Sequence, residues 1–351
     1  FKINESPFKI DSLHYQKKDK SNLIITANGK NDLKDKFYFE KITLLENDNK
    51  IFINELSLSN NFEIKELKKI LFDYVDRDKF KNNISITKKN KNYLLLGDTF
   101  NADKLIESLL DSNTDNTSIF KGNYKLDLNI KKTYLDKDNV INGLKGNILL
   151  KDNNLLEADL SAKFLNNKDI KFTVMTNGNE KITTLFSGEA KPLVNRYKFV
   201  KGFGEGTLDF YSIKKDSRTN STLKIYDFKL KELPALTKIL TLASLQGIAD
   251  LLSGEGIRFK EFEMKFSNKD QLMTIDEIYA IGPAISILMS GYLESDKLIS
   301  LRGTLVPATT LNKTIGSIPI LGDILVGKKT GEGVFGVSFK IKGPPNELET
   351  S

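Results

Sequence analysis

The sequence predicts a mostly β protein: an elongated, curved antiparallel sheet forming a hydrophobic groove, with a few short amphipathic helices. Three observations carry this expectation. Apolar and polar residues alternate at period two over much of the chain. Turn pairs such as Asn28-Gly29, Asn142-Gly143 and Asn177-Gly178-Asn179 separate the alternating runs. Stretches with helical spacing are few and scattered, too few to cover the sheet that the strands would make.

Taken in chain order, the elements read as follows. Leu13-His14-Tyr15 is an apparent strand. Ile64 to Val75 places Ile64, Leu67, Ile70, Leu71 and Tyr74 at helical spacing, so a short amphipathic helix is expected, and Asp103 to Leu110 reads as a second. Tyr124, Leu126, Leu128 and Ile130 face one way, against Lys125, Asp127 and Asn129. Ala158, Leu160, Ala162 and Phe164 repeat the pattern, as do Ile170, Phe172 and Val174, and later Phe335, Val337, Phe339 and Ile341. A third helix is expected over 235–252, with Pro234 at its start and Gly254 just past its end. Leu236, Ile239, Leu240, Ala243, Ile248, Leu251 and Leu252 give it a wide apolar stripe. A fourth is expected from Ala308 to Ile315. In Ile257 to Phe266 the apolar set changes phase at Lys260-Glu261, which reads as a β-bulge. Roughly 18 to 22 strands paired about 4.8 Å apart would extend on the order of 85–105 Å. Their apolar face has to be covered by a sandwich, a closed barrel or a trough holding something apolar.

Composition fits an extended body. The 351 residues are 39% hydrophobic and 28% charged, slightly poor in apolar residues for a compact globule of this size. The net charge of +7 comes from scattered lysines that travel with abundant Asn and Ile; no arginine-rich block and no RNA-binding aromatic motif accompanies them, so nucleic acid is not expected as a partner. The absence of cysteine removes disulfides and thiolate metal sites. The chain opens at Phe1 without a start Met and stops soon after Gly343-Pro344-Pro345, so a piece of a longer protein is expected.

Catalytic signatures fail in turn. The single histidine, His14, gives triads and zinc sites one candidate at most, and reads as a surface or packing residue. Gly-Glu-Gly occurs at 204–206, 254–256 and 331–333, each read as a strand-entry turn because no helix follows, as a phosphate cradle requires. Asp276-Glu277 reads as a solvated strand edge. No catalytic residue, metal ligand or cofactor is assigned.

One resemblance adds to this reading. Residues from about 185 to 348 carry, in order, Phe186-Ser187-Gly188-Glu189-Ala190, Gly202-Phe203-Gly204-Glu205-Gly206-Thr207-Leu208-Asp209-Phe210 and Asp227-Phe228-Lys229-Leu230-Lys231-Glu232-Leu233-Pro234. Leu251-Leu252-Ser253-Gly254-Glu255-Gly256-Ile257, Gly303-Thr304-Leu305-Val306-Pro307-Ala308 and Ile318-Pro319-Ile320-Leu321-Gly322 follow. The order and spacing of these elements resemble the C-terminal region of the AsmA-like family, especially its large YhdP-type members. Two segments are therefore expected: 1–184, a strand-rich repeat segment of the groove, and 185–351, the AsmA-like C-terminal region with the helix 235–252. The resemblance implies a periplasmic protein anchored to the inner membrane through a segment outside this sequence. It also implies a non-enzymatic role in moving phospholipid between inner and outer membranes and in outer-membrane integrity.

On that reading, phospholipid acyl chains lie against Leu126, Leu128, Leu160, Phe164, Phe172, Leu208, Phe210, Phe335, Val337 and Phe339. Ordinary core packing is the competing account of each. Two other classes of function use the same strands: a periplasmic scaffold for outer-membrane protein assembly, with envelope protein partners, and an adhesin or filament with a dry sandwich core.

Overall fold

The computed structural model describes the chain except for residues 33–35, 61–62, 105, 107–122, 152–153, 197–201, 232, 243–244, 295–296, 308–335 and 346. The chain is mostly β and divides into two compact units, Phe1–Met175 and Thr176–Ser351.

The first unit begins with three two-residue strands, β1 (Lys2–Ile3), β2 (Lys9–Ile10) and β3 (Tyr15–Gln16). A long meander follows: β4 (Leu23–Asp32), β5 (Lys36–Glu46), β6 (Asn49–Ser59), β7 (Ile64–Val75), β8 (Lys81–Lys89) and β9 (Asn92–Asn101), each antiparallel to the next. β10 (Asn123–Tyr134) pairs with β9 in parallel, a departure from the all-antiparallel expectation. β11 (Val140–Lys151), β12 (Asn154–Phe164) and β13 (Asp169–Asn177) resume the antiparallel order.

In the second unit β14 (Glu180–Ser187), β15 (Phe203–Lys215), β16 (Arg218–Leu230) and β17 (Ile257–Lys269) run antiparallel in sequence. β18 (Leu272–Ile281), β19 (Ile285–Glu294), β20 (Leu298–Pro307), β21 (Val337–Gly343) and the short β22 (Glu349–Thr350) continue the series. Neither described series closes on itself: within each unit the first and last strands share no ladder.

Residues 64–75 form a strand where the sequence predicts a helix. The physical reason is a break in strand phase. Glu55 of β6 adopts φ 50°, and the positions aligned with it, Glu40 in β5 and Lys68 in β7, drop out of the ladder. On either side of this line the inward residues are three apart instead of two: Phe39 and Ile42, Ile53 and Leu56, Leu67 and Ile70. A register shift at Ser57/Leu58, which leaves Lys65 unpaired, adds the second step of three from Ile64 to Leu67. Two kinks thus reproduce helical spacing in an extended strand.

The same device recurs. Asp98, Lys131 and Gly143 (φ 63°) drop out together across β9, β10 and β11, and Lys131 Nζ lies 2.7 Å from the Asp98 carboxylate. In the second unit Gly206, Asp227 (φ 51°) and Lys260 do so across β15, β16 and β17. The phase change at Lys260-Glu261 is therefore present, but as a kink aligned with Asp227. The inserted residue of β17 and β18 falls elsewhere, opposite Lys265/Phe266.

The expected helix 235–252 is broken in two, Pro234–Leu242 and Gln246–Ser253. At about 100° per residue, an unbroken helix would set Leu252 some 120° round from Leu240. The break lets both be fully buried against the sheet. Lys191–Val194 forms a further short helix. Of the segment Asp103–Leu110 only Asp103, Lys104 and Ile106 are described, with the Ile106 amide donating to the Ala102 carbonyl at 2.9 Å. Ala308–Ile315 lies outside the described residues.

His14 follows a 3-10 turn, Asp11–Leu13, in the left-handed region at φ 51°, instead of lying in a strand; its Nε2 sits 3.0 Å from Asp78 Oδ2. Gly204-Glu205-Gly206 lies inside β15 and is part of the kink, not a turn before a strand. Asp276 is exposed but interior to β18, at its register shift, while Glu277 accepts from Lys265 Nζ at 3.2 Å.

Candidate functional site: apolar rows across the strands

Residues paired directly across a ladder share a face of the sheet, so the registers show which side chains line up. In the first unit one row runs Ala27, Ile42, Ile53, Ile70, Ile86, Leu95, Leu128, Gly146, Leu160, Phe172, crossing ten strands. The neighbouring row holds Tyr93, Leu126, Ile148, Ala158 and Val174. Gly146 is the one gap in the apolar row. Its φ of 144° and a Cβ position 1.8 Å from the Asp159 carbonyl oxygen leave no room for a side chain.

In the second unit two adjacent rows are as continuous. The first runs Leu208, Ile225, Phe262, Ala280, Ile287, Leu305, Val337; the second runs Leu185, Phe210, Leu223, Met264, Ile278, Met289, Gly303, Phe339.

One end of each face is covered by the chain itself. In the second unit the two helices bring Leu236, Ile239, Leu240, Ala249 and Leu252 onto the Phe228, Phe259 and Ile285 end. There Phe228 stacks between Phe203 and Phe259, with ring centroids 5.4 and 5.3 Å away. In the first unit Phe8, Ile10, Leu13 and Tyr15 from the N-terminal segment pack on Leu23, Leu44 and Tyr74. Glu46 anchors that segment. Its buried carboxylate accepts from Tyr15 Oη at 2.6 Å, the Lys18 amide at 2.6 Å, Asn49 Nδ2 at 3.2 Å and the Ser21 hydroxyl. Burial alone would raise the carboxyl pKa; these donors outweigh it and hold it below the ordinary range.

Several members of the rows are only half-buried, among neighbours such as Ile70, Ile225, Ile278 and Ile287 that are buried. Leu185, Phe210, Leu223, Met264 and Met289 all keep intermediate exposure, as do Leu126, Leu160 and Phe172 in the first unit. The sequence-predicted residues therefore divide. Leu126, Leu160, Phe172, Phe210 and Val337 are half-buried members of rows. Leu128, Leu208 and Phe339 are buried members, and Phe164 packs with Leu135, Ile141 and Ala162 in a small core of its own. Phe335 lies outside the described residues. Alternation alone missed Ile42, Ile53 and Ile70, because the three-residue steps hide their phase, and it missed Leu223 and Met289; it set Met264 on one face with Phe262 and Phe266 without assigning it to lipid.

The opposite face of the second unit carries a polar network among mixed side chains. Glu263, 5% exposed, accepts from Lys224 Nζ at 2.8 Å, Lys265 Nζ at 3.1 Å and Tyr279 Oη at 2.8 Å. Desolvation would raise its pKa, yet the three donors lower it to about 2. Each charge in this cluster has partners, as a structural network requires.

No family model, curated protein or solved structure matches the chain. Among the described residues no helix is long and apolar enough to cross a membrane.

Proposed function

We propose that the chain is a non-enzymatic phospholipid carrier whose acyl chains lie along the half-buried apolar rows of each unit. The observation that carries the reading is the half-exposure of Leu185, Phe210, Leu223, Met264 and Met289, members of one apolar row of the second unit that the packing of the chain leaves only partly covered. Each methylene taken from water onto such a surface contributes about 0.8 kcal/mol, so a single acyl chain gains roughly 10 kcal/mol. Neighbouring strands offer similar surfaces, so a chain can shift from one to the next without a large barrier. The AsmA-like resemblance supports a carrier that works in the periplasm. It is held to the inner membrane through a segment outside this sequence and serves phospholipid passage to the outer membrane and outer-membrane integrity.

A scaffold for outer-membrane protein assembly is the second reading, favoured by one feature. Among the described residues β4 is paired on its outer side only over Leu23, Ile24 and Ile25, by β1 and Phe1, leaving the rest of that edge without a strand partner. Mass spectrometry of organic extracts from the purified chain separates the two. Phospholipid at near-stoichiometric amounts is expected of a carrier; a lipid-free preparation that captures unfolded outer-membrane strands would replace it with the scaffold.

A further inference from the structure

We infer that Lys181 and Lys214 form a rim that takes the phosphate of an anionic phospholipid headgroup, at the open end of the second unit's apolar face. The inference rests on the reading that this face carries lipid. Lys181 of β14 and Lys214 of β15 are direct ladder partners. Lys181 has the parity of Thr183 and Leu185, and Lys214 that of Leu208, Phe210 and Ser212, so both lie on the apolar side of the sheet. Two like charges directly opposite each other on a sheet are destabilising. Among the described residues neither takes part in an ion pair or side-chain hydrogen bond with an acid. Lys181 is half-buried, and desolvation together with the Lys214 charge pulls its pKa down. A bound phosphate oxygen would relieve both effects.

Along β14, β15 and β16 polarity is graded in the order a phospholipid needs, whereas the row of Thr183, Ser212 and Ser221 turns apolar again at Phe266 of β17. The Leu208 and Phe210 rows come first. The next row holds Thr183, Ser212 and Ser221, with the two serine hydroxyls 3.1 Å apart. The lysines follow. Leu208 to Lys214 is six residues of extended strand, about 20 Å. One leaflet's share of bilayer hydrocarbon is about 15 Å. Acyl carbons against the apolar rows thus leave the ester region beside the hydroxyls and the phosphate at the ammonium groups.

The test uses the 351-residue chain and phospholipids with one labelled acyl composition, offered as phosphatidylglycerol or as phosphatidylcholine, with retention read by co-migration on native gels. Wild type should retain phosphatidylglycerol in excess. Lys181→Gln/Lys214→Gln should lower that retention about tenfold and leave phosphatidylcholine unchanged, and Lys181→Arg/Lys214→Arg should restore it. A preference that survives the double Gln change, or no preference at all, overturns the rim while leaving the carrier reading intact. Competition by glycerol phosphate at concentrations matching the lipid would also overturn it, by making this a site for free phosphate. Loss of both lipids already in wild type sinks the carrier reading and the rim together. Circular dichroism of each variant confirms that a retention change is not unfolding.

Discussion

Replacing Phe172 by Asp puts a charge in the middle of a row while leaving most of the packing in place. Phe172 is half-buried and lies opposite Leu160, with Ile170 and Val174 its neighbours on the same face of β13. Those neighbours are about 6.8 Å away along the strand. A hydrated carboxylate therefore spoils the surface for about four methylenes of a passing acyl chain. At about 0.8 kcal/mol each, the loss is about 3 kcal/mol, or roughly a hundredfold in retention. Leu128→Asp is a poorer probe: Leu128 is 8% exposed, and an unpaired carboxylate there costs several kcal/mol of stability before lipid is considered. The assay is retention of acyl-labelled phospholipid on native gels beside a far-ultraviolet circular dichroism spectrum. A Phe172→Asp chain with wild-type spectrum and wild-type retention would refute the assignment of this row to lipid.

Three further outcomes are expected. Phe228→Ala removes the middle ring of the Phe203–Phe228–Phe259 stack at a site 2% exposed, costing about 4 kcal/mol and lowering the melting temperature by about 8–16 °C in calorimetry; a fall of under about 3 °C would contradict the packing described. Glu263, with a folded pKa of about 2 against an ordinary value near 4.5, adds stability that is complete above about pH 4.5 and is lost as pH falls toward 2. Glu263→Gln should flatten the dependence of the urea midpoint on pH in that window, and an unchanged slope would show that the carboxylate is not held by its three donors. Asp227→Gly relieves a left-handed residue inside a strand and should raise the melting temperature by about 2–4 °C, whereas Asp227→Val should lower it.

Strand content was legible wherever phase stayed constant. Tyr124 to Ile130 and Ala158 to Phe164 alternate without interruption, and both are strands with the expected residues on one face. It was not legible where kinks intervene. Ile64, Leu67 and Ile70 mimic a helical stripe because Lys65 and Lys68 each fall out of step, and the cause lies in neighbouring strands, at Ser57/Leu58 and Glu55, which no local window includes. The stripe of 235–252 included the buried Leu236, Ile239, Leu240 and Leu252 but not the buried Ala249, and it hid the interruption between Leu242 and Gln246, since burial of Leu240 and Leu252 together is a demand of the sheet beneath them. The half-exposed rows needed register, which pairs Leu223 with Met264 at a sequence distance that alternation does not span. The lysine rim was invisible for the same reason: Lys181 and Lys214 become neighbours only through a ladder.

The out-of-step positions carry a consequence for how this chain tolerates change in length. Because Asp227 absorbs one residue between Ile225 and Phe228, excising it would not merely shorten β16. It would turn one half of the strand over, sending either Leu223 and Ile225 or Phe228 and Leu230 to the wetted side. A single lost codon there inverts a surface, whereas the same loss in the Asn177-Gly178-Asn179 hairpin tip only tightens a bend. Length variation among natural versions of this chain should accordingly gather at the tips and avoid Glu55, Gly143 and Asp227.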